Sequence, residues 1–293
     1  MKPLLLRLRP SNPCVRKLDR LPWSAGFAFR VYGRCYGVRT TTPALLAEIR
    51  KRLPPGSKAC PRRLVDRLYS VVGGDGPAPA SSRGLRRFHL LYADARRFAR
   101  TMDIDKVLDA FESAVEVDLA ERAQRHVFVH AGVVGWHGRA IVIPGRTGSG
   151  KTSLVESLVR AGATYYSDEF AVLDARGRVH PFARPLRMRR DGGRLERLPP
   201  DRIGGRTGRT PLPVGLIVST RYKAGARWRP RRLTYGEAMM ELVANTVPAR
   251  LRPRQALTVI AHAARSADAF KGVRGEGATL ASRLLRLRPS SAS

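Results

Sequence analysis

Gly145-Arg146-Thr147-Gly148-Ser149-Gly150-Lys151-Thr152 matches the pattern G-x-x-x-x-G-K-[ST] in full. Its three glycines let the backbone curl until several N–H groups face one phosphate chain. A helix that starts at such a loop adds its positive end to the same point. Lys151 then reaches the β- and γ-phosphates, and the Thr152 hydroxyl is placed to ligate Mg²⁺. The expected ligand is ATP with Mg²⁺, held by the eight residues of the motif and by Ser153 after it. The alternative is a chance Gly-Ser-rich turn before a helix.

Mg²⁺ on a nucleotide commonly needs a second protein anchor, an aspartate at the end of an apolar strand. Asp168 closes the strand-like run Ala163-Thr164-Tyr165-Tyr166-Ser167, and Glu169 follows it. The later apolar run Gly215-Leu216-Ile217-Val218-Ser219-Thr220 ends without a carboxylate. The expected metal set is therefore Thr152, Asp168 and Glu169. Asp168 lies 17 positions beyond Lys151, closer than in most ATPases with this loop. The competing reading of Asp168-Glu169 is a surface turn.

These groups need elements to hold them. Ala140-Ile141-Val142-Ile143 reads as the strand feeding the loop, and Thr152 to Arg160 as the helix leaving it. His137-Gly138 sits between two apolar runs and suits a tight hairpin. The strand entering the loop then pairs antiparallel with its predecessor, whereas ordinary ATPases of this loop type are built from parallel strands. Leu212 to Thr220 reads as a further strand, and Tyr235–Asn245 and Arg254–Ala264 as helices. Before the loop, Phe27–Val31 and Cys35–Val38 read as strands around a turn at Gly33-Arg34. Pro43–Leu53 reads as a short helix with Thr42 as its N-cap, and Leu68–Val72 and Phe88–Tyr92 as two more strands. The Gly73–Ser82 stretch is loop-like. Ile104–Gln124 has helical spacing, with Val107, Leu108, Phe111, Ala114, Val115, Val117 and Leu119 on an apolar face.

The expected organisation is a small α+β domain over 1–100, a mixed α/β domain over 101–282 opened by the long helix, and a disordered basic tail over 283–293. No apolar run is long enough to span a membrane, and the opening leucines are too few for a signal peptide. Cys14, Cys35 and Cys60 are odd in number and widely spaced, which argues against a disulfide framework or zinc site and for a cytoplasmic protein. The formal charge of +32 is spread along the chain. It fits an acidic partner, nucleic acid or an acidic peptide, and equally an arginine-rich composition with a solvated surface. No basic motif interleaved with aromatics marks a nucleic-acid module, so nucleic acid is not the favoured partner.

The order His130-Ala131-Gly132-Val133, glycine loop, Arg160-Ala161-Gly162, Asp168-Glu169 resembles the catalytic domain of the bacterial HPr kinase/phosphorylase family. It is more similar to the HPr-kinase-like proteins found beside peptide-modification genes, such as lasso-peptide tailoring kinases. The likeness covers about residues 126 to 190. It implies a mixed-sheet P-loop kinase fold, a homo-oligomer, and transfer of the γ-phosphate to a hydroxyl, serine above all, of a peptide or small protein. It implies that Asp168 takes the proton of that hydroxyl, that His130 beside it tunes its protonation, and that Lys151 holds phosphate. Two departures stand out. Glu169 replaces the family's second aspartate, and His180–Arg189 stands where the family carries a Glu-Ile/Val-Arg-Gly stretch linked to phosphorolysis. Arg184 and Arg187 in that segment suit phosphate or an acidic substrate, or are solvated charges. The rival functions are a nucleic-acid-stimulated ATPase and a non-catalytic nucleotide-binding subunit that recognises a peptide.

Overall fold

The structure is a computed structural model and describes residues 6–8, 18–62, 64–74, 87–146, 148–189 and 195–287. Most of the loop at 73–82, Thr147 and residues 288–293 lie outside the described residues. The chain divides into two compact units, Met1–Gln124 and Arg125–Ser293.

The first unit carries β1 (Arg7–Leu8), β2 (Ala25–Val31), β3 (Arg34–Thr40), α1 (Leu45–Lys51), β4 (Lys58–Ala59), β5 (Leu64–Val65), β6 (Arg67–Val72), β7 (His89–Ala93), β8 (Arg96–Thr101) and α2 (Ile104–Arg122). Six strands form one sheet in the order β4-β2-β3-β6-β7-β8, with β3 and β6 parallel and the other neighbours antiparallel. The β2–β3 turn falls one residue earlier than its sequence signal, at Tyr32-Gly33, both with positive φ. Thr42 does not cap α1, whose N-cap is Ala44 without a side-chain bond. The edge strand β8 carries no strand signal in its sequence, because its Arg-Arg-Phe-Ala-Arg-Thr pattern is mostly exposed.

The long helix α2 packs in this first unit and does not open the second. Phe111 meets Tyr69 edge-on at 5.4 Å, and Tyr69 stacks in turn with Tyr36. Asp118, buried on α2, accepts from the Tyr36 hydroxyl at 3.0 Å and lies within 4 Å of Arg34, Arg67 and Arg122. Val117, counted on the apolar face, is instead exposed. One residue turns the helix by ~100°, so Asp118 takes the inward position. Cys35 and Cys60 meet in this unit with their sulfurs 2.9 Å apart. Burial, and then the neighbouring thiol, push the Cys35 thiol up to about 11.

The second unit is mixed α/β. Its elements are β9 (Val127–Trp136), β10 (Arg139–Pro144), α3 (Lys151–Arg160), β11 (Thr164–Ser167), β12 (Phe170–Leu173), β13 (Val179–His180), β14 (Leu186–Arg189), β15 (Leu195–Leu198), β16 (Val214–Tyr222), β17 (Arg231–Arg232), α4 (Tyr235–Val243), α5 (Pro253–Ala264), β18 (Asp268–Arg274) and α6 (Gly277–Arg286). The main sheet runs β13-β12-β9-β10-β16-β18-β17, and β11 also pairs with β9. β9 and β10 form the expected antiparallel hairpin, with His137 at φ 47° and Gly138 at φ 72°. Left-handed backbone at both central positions is what a right-twisted two-residue hairpin requires. β10, β16 and β18 then run parallel to one another. The 283–293 segment is not all tail: α6 continues through Arg286.

Both faces of this sheet are covered, which is why its strands read as nearly continuous apolar runs. Ala140 and Val142 of β10 pack with Leu242 of α4 and Ile260 of α5. Ile141 and Ile143 pack on the opposite face with Leu154 and Leu158 of α3 and Leu280 and Leu284 of α6. No helix of the described residues is long and apolar enough to cross a membrane.

Gly132 sets how closely α3 approaches β9. A Cβ there would lie 2.5 Å from Val155 Cγ2. Valine in a helix is stiff at χ1, so α3 must move instead. Gly132→Ala is expected to cost about 1–3 kcal/mol through overpacking. Urea denaturation would read this as a lower midpoint at unchanged slope.

Candidate functional site

The glycine loop leaves β10 at Pro144, and Gly145 N–H donates to the His130 carbonyl at 3.1 Å. That bond ties the start of the loop to the middle of β9. Gly148 and Gly150 both sit at φ 84°, a conformation other residues rarely adopt. Gly145 also lacks room for a side chain, since a Cβ would lie 2.7 Å from Ser149 Oγ. Helix α3 begins at Lys151 with no side-chain cap and no acid in its first turn. Its first N–H groups therefore have no intrahelical partner and carry the positive end of the helix.

The Lys151 side chain turns back over this loop. It is 7% exposed and donates from Nζ to the Arg146 carbonyl at 2.9 Å. Burial draws its basicity down, and the charges of Glu169 and Asp168 oppose that. Arg146 is exposed. Ser153 is exposed on the first turn, where its carbonyl accepts from Ser157.

The acidic pair is placed by an interruption in the sheet. β12 pairs with Val127–His130 of β9, whereas β11 pairs with Val133–Gly135 farther along the same strand. Asp168-Glu169 bridges the gap, opposite Ala131 and Gly132, and Ala131 N–H donates to the Glu169 carbonyl at 3.1 Å. The Ser167 hydroxyl accepts from the N–H groups of Glu169 and Phe170, which closes the turn. The break lies beside the glycine loop because Gly145 binds the neighbouring residue of β9, His130.

Asp168 is accordingly buried, at 7% exposure, so the reading of a surface turn does not hold. It accepts a hydrogen bond from the Tyr165 hydroxyl at 2.9 Å. The Arg187 backbone N–H also donates to it, and the nearby Thr152 hydroxyl favours its ionised form. Burial raises its carboxyl above the ordinary carboxylate value, and these groups together with its own backbone N–H oppose the rise. Glu169 is raised by burial and then by Asp168, and lowered by Lys151 and Arg187. Two carboxyls side by side cannot both ionise freely, and the lysine between them and the loop reduces that cost.

His130 lies against Phe170, with ring centroids 4.6 Å apart, and its Nδ1 is 3.6 Å from Glu169 Oε1. Its backbone N–H donates to the Asn245 carbonyl at 2.8 Å, just beyond α4. Burial, and then the charge of Lys151, lower its basicity, so the ring is held neutral near physiological pH. The structure thus gathers Lys151, Thr152, Asp168, Glu169 and His130 at one point. Arg187 joins them through its backbone and its charge, while the Arg184 carbonyl, also 2.9 Å from the Tyr165 hydroxyl, competes with Asp168 for its single proton.

Two contributors escape sequence reasoning. Tyr165 holds Asp168, whereas its sequence context marks it only as a strand residue. Its position three residues before Asp168 was the available signal. Arg274, at the end of the unread strand β18, donates from Nη2 to the Gly150 carbonyl at 2.8 Å. One basic residue among 55 carried no signal of that role. Among the described residues no cluster of three His, Cys, Asp or Glu side chains could hold a metal. The local donor set of two carboxylates and one hydroxyl is all oxygen, which suits Mg²⁺ completed by phosphate and water rather than a closed protein cage.

Comparison with protein-family models and with curated proteins gave no match to this chain.

Proposed function

We propose that this chain is an ATP-dependent kinase of the HPr-kinase type, transferring the γ-phosphate to a hydroxyl of a peptide or small protein, serine above all. The observation that carries the reading is the meeting of Thr152 and Lys151, at the start of α3, with Asp168 and Glu169: the Thr152 hydroxyl favours the ionised form of Asp168, and Lys151 lies in the field of both carboxylates. A hydroxyl and an amine that follow a phosphate-type glycine loop meet an acid pair, Asp168 buried and Glu169 partly exposed, that the sequence spacing singled out.

The loop N–H groups and Lys151 would bind the phosphate chain. Thr152 and the acid pair, Glu169 above all, would hold Mg²⁺, which would neutralise charge on the phosphates. Asp168 is the proposed base. Its raised proton affinity, set by burial, suits it to take the acceptor hydroxyl's proton as the oxygen attacks the γ-phosphorus and the bond to ADP breaks. Glu169 follows it in the chain and neutral His130 lies 3.6 Å from Glu169; the role proposed for both is to tune its protonation. A cytoplasmic location and a homo-oligomer belong to the same proposal.

The test is incubation of the protein with γ-labelled ATP, Mg²⁺ and peptides encoded near its gene. Label on a peptide serine is the expected result. ATP turnover that rises strongly with DNA or RNA, with binding that weakens steeply as salt rises, supports the nucleic-acid ATPase instead. ATP binding with no turnover on any acceptor supports the non-catalytic subunit.

A further inference from the structure

Arg274 ends β18 opposite Tyr222 of β16 and is 2% exposed. Its Nη2 donates to the Gly150 carbonyl and its Nη1 to the Gly275 carbonyl, each at 2.8 Å, while Nε has no partner. The guanidinium carbon lies 5.4 Å from the centre of the Tyr222 ring. No carboxylate of the described residues forms an ion pair with it. The nearest acid to act on it, Glu276, accepts from the Tyr222 hydroxyl at 3.0 Å. Burial draws its basicity down.

A buried cation without an ion pair is costly, and arginine does not escape by losing its proton. Two neutral carbonyls solvate the charge but do not cancel it. The group also grips the loop at one defined place. The Gly150–Lys151 peptide is planar and trans, so fixing the Gly150 carbonyl toward Arg274 turns the Lys151 N–H to the opposite side. Gly150 must be glycine here, both for its φ of 84° and because a Cβ would lie 2.7 Å from Arg274 Nη2.

We propose that Arg274 is a charge-matching and positioning residue of the glycine loop, a buried guanidinium whose charge is compensated when a polyphosphate occupies the loop. Affinity should then climb with the charge of the phosphate chain. This rests on the reading that the loop binds phosphate.

The experiment is calorimetry and thermal melting of the full chain with AMP, ADP, ATP and tripolyphosphate. The wild type is compared with Arg274→Met and Arg274→Lys. Arg274→Met should melt no lower than the wild type without ligand, because the uncompensated charge is gone. It should bind ATP and tripolyphosphate at least tenfold more weakly and AMP nearly unchanged. Arg274→Lys keeps the charge and should preserve the preference for ATP over AMP within about threefold. If Arg274→Met fails to fold, that preference in Arg274→Lys decides the matter, and its collapse overturns the proposal. Equal loss for all ligands would show a mechanical latch and also overturns it, as does unchanged binding. A wild type that binds neither ATP nor tripolyphosphate defeats the phosphate-loop reading itself, which is a different result from any of these.

Discussion

Asp168→Asn is expected to bind Mg²⁺-ATP nearly as well as the wild type and to lose phosphoryl transfer by a factor on the order of 10² or more. The substitution keeps the shape of the side chain and one oxygen to accept from Tyr165, which donates at 2.9 Å in the native protein. It removes the group that takes the proton. Lys151 and the loop N–H groups are untouched, so the phosphate chain keeps its contacts. Single-turnover transfer from γ-labelled ATP, beside calorimetric binding, separates the two quantities. If Asp168 serves mainly as a metal anchor, the same change weakens Mg²⁺-ATP binding, and added metal restores part of the rate. Transfer at the wild-type rate would show that the buried acid is structural and would remove the chemical half of the proposal.

The parts of this site that were legible in the sequence are those written in local rules. Left-handed backbone is cheap at Gly138, Gly148 and Gly150, so a turn and a curled loop can be read without neighbours. The His137-Gly138 pair fixed the antiparallel entry of β10, and that in turn set the mixed sheet. What was not legible depends on pairing across the fold. Strand β18 reads Asp-Ala-Phe-Lys-Gly-Val-Arg, with no clean alternation, and becomes a strand by lying parallel along β16. Arg274 therefore could not be connected to Gly150, 124 positions away. The placement of α2 is illegible for the same reason. Its apolar face says only that it packs somewhere, whereas the Tyr36–Asp118 bond, 82 positions apart, decides where. The turn at Asp168-Glu169 is an intermediate case. The strand ending before it was readable, but the break opposite Ala131 and Gly132 that buries the acid is a property of β9 and its two partners.

Lys151→Ala is expected to remove most ATP affinity, with a smaller loss for ADP and the least for AMP. The amine is buried against the Arg146 carbonyl, and only the outer phosphates come within its reach. A second consequence follows from its position beside the acids. Lys151 lowers the proton affinity of Glu169 by its charge and lowers that of His130 by the same means. Without it both groups hold protons to higher pH. Whatever transfer remains at saturating ATP should therefore fall off on acidification from a higher pH than in the wild type. Calorimetry along the series AMP, ADP and ATP checks the first effect, and pH–rate profiles of both proteins check the second. Equal losses for all three nucleotides would place Lys151 in holding the loop's shape rather than on the outer phosphates. An acidic limb at unchanged pH would mean that Glu169 and His130 do not govern the reacting proton.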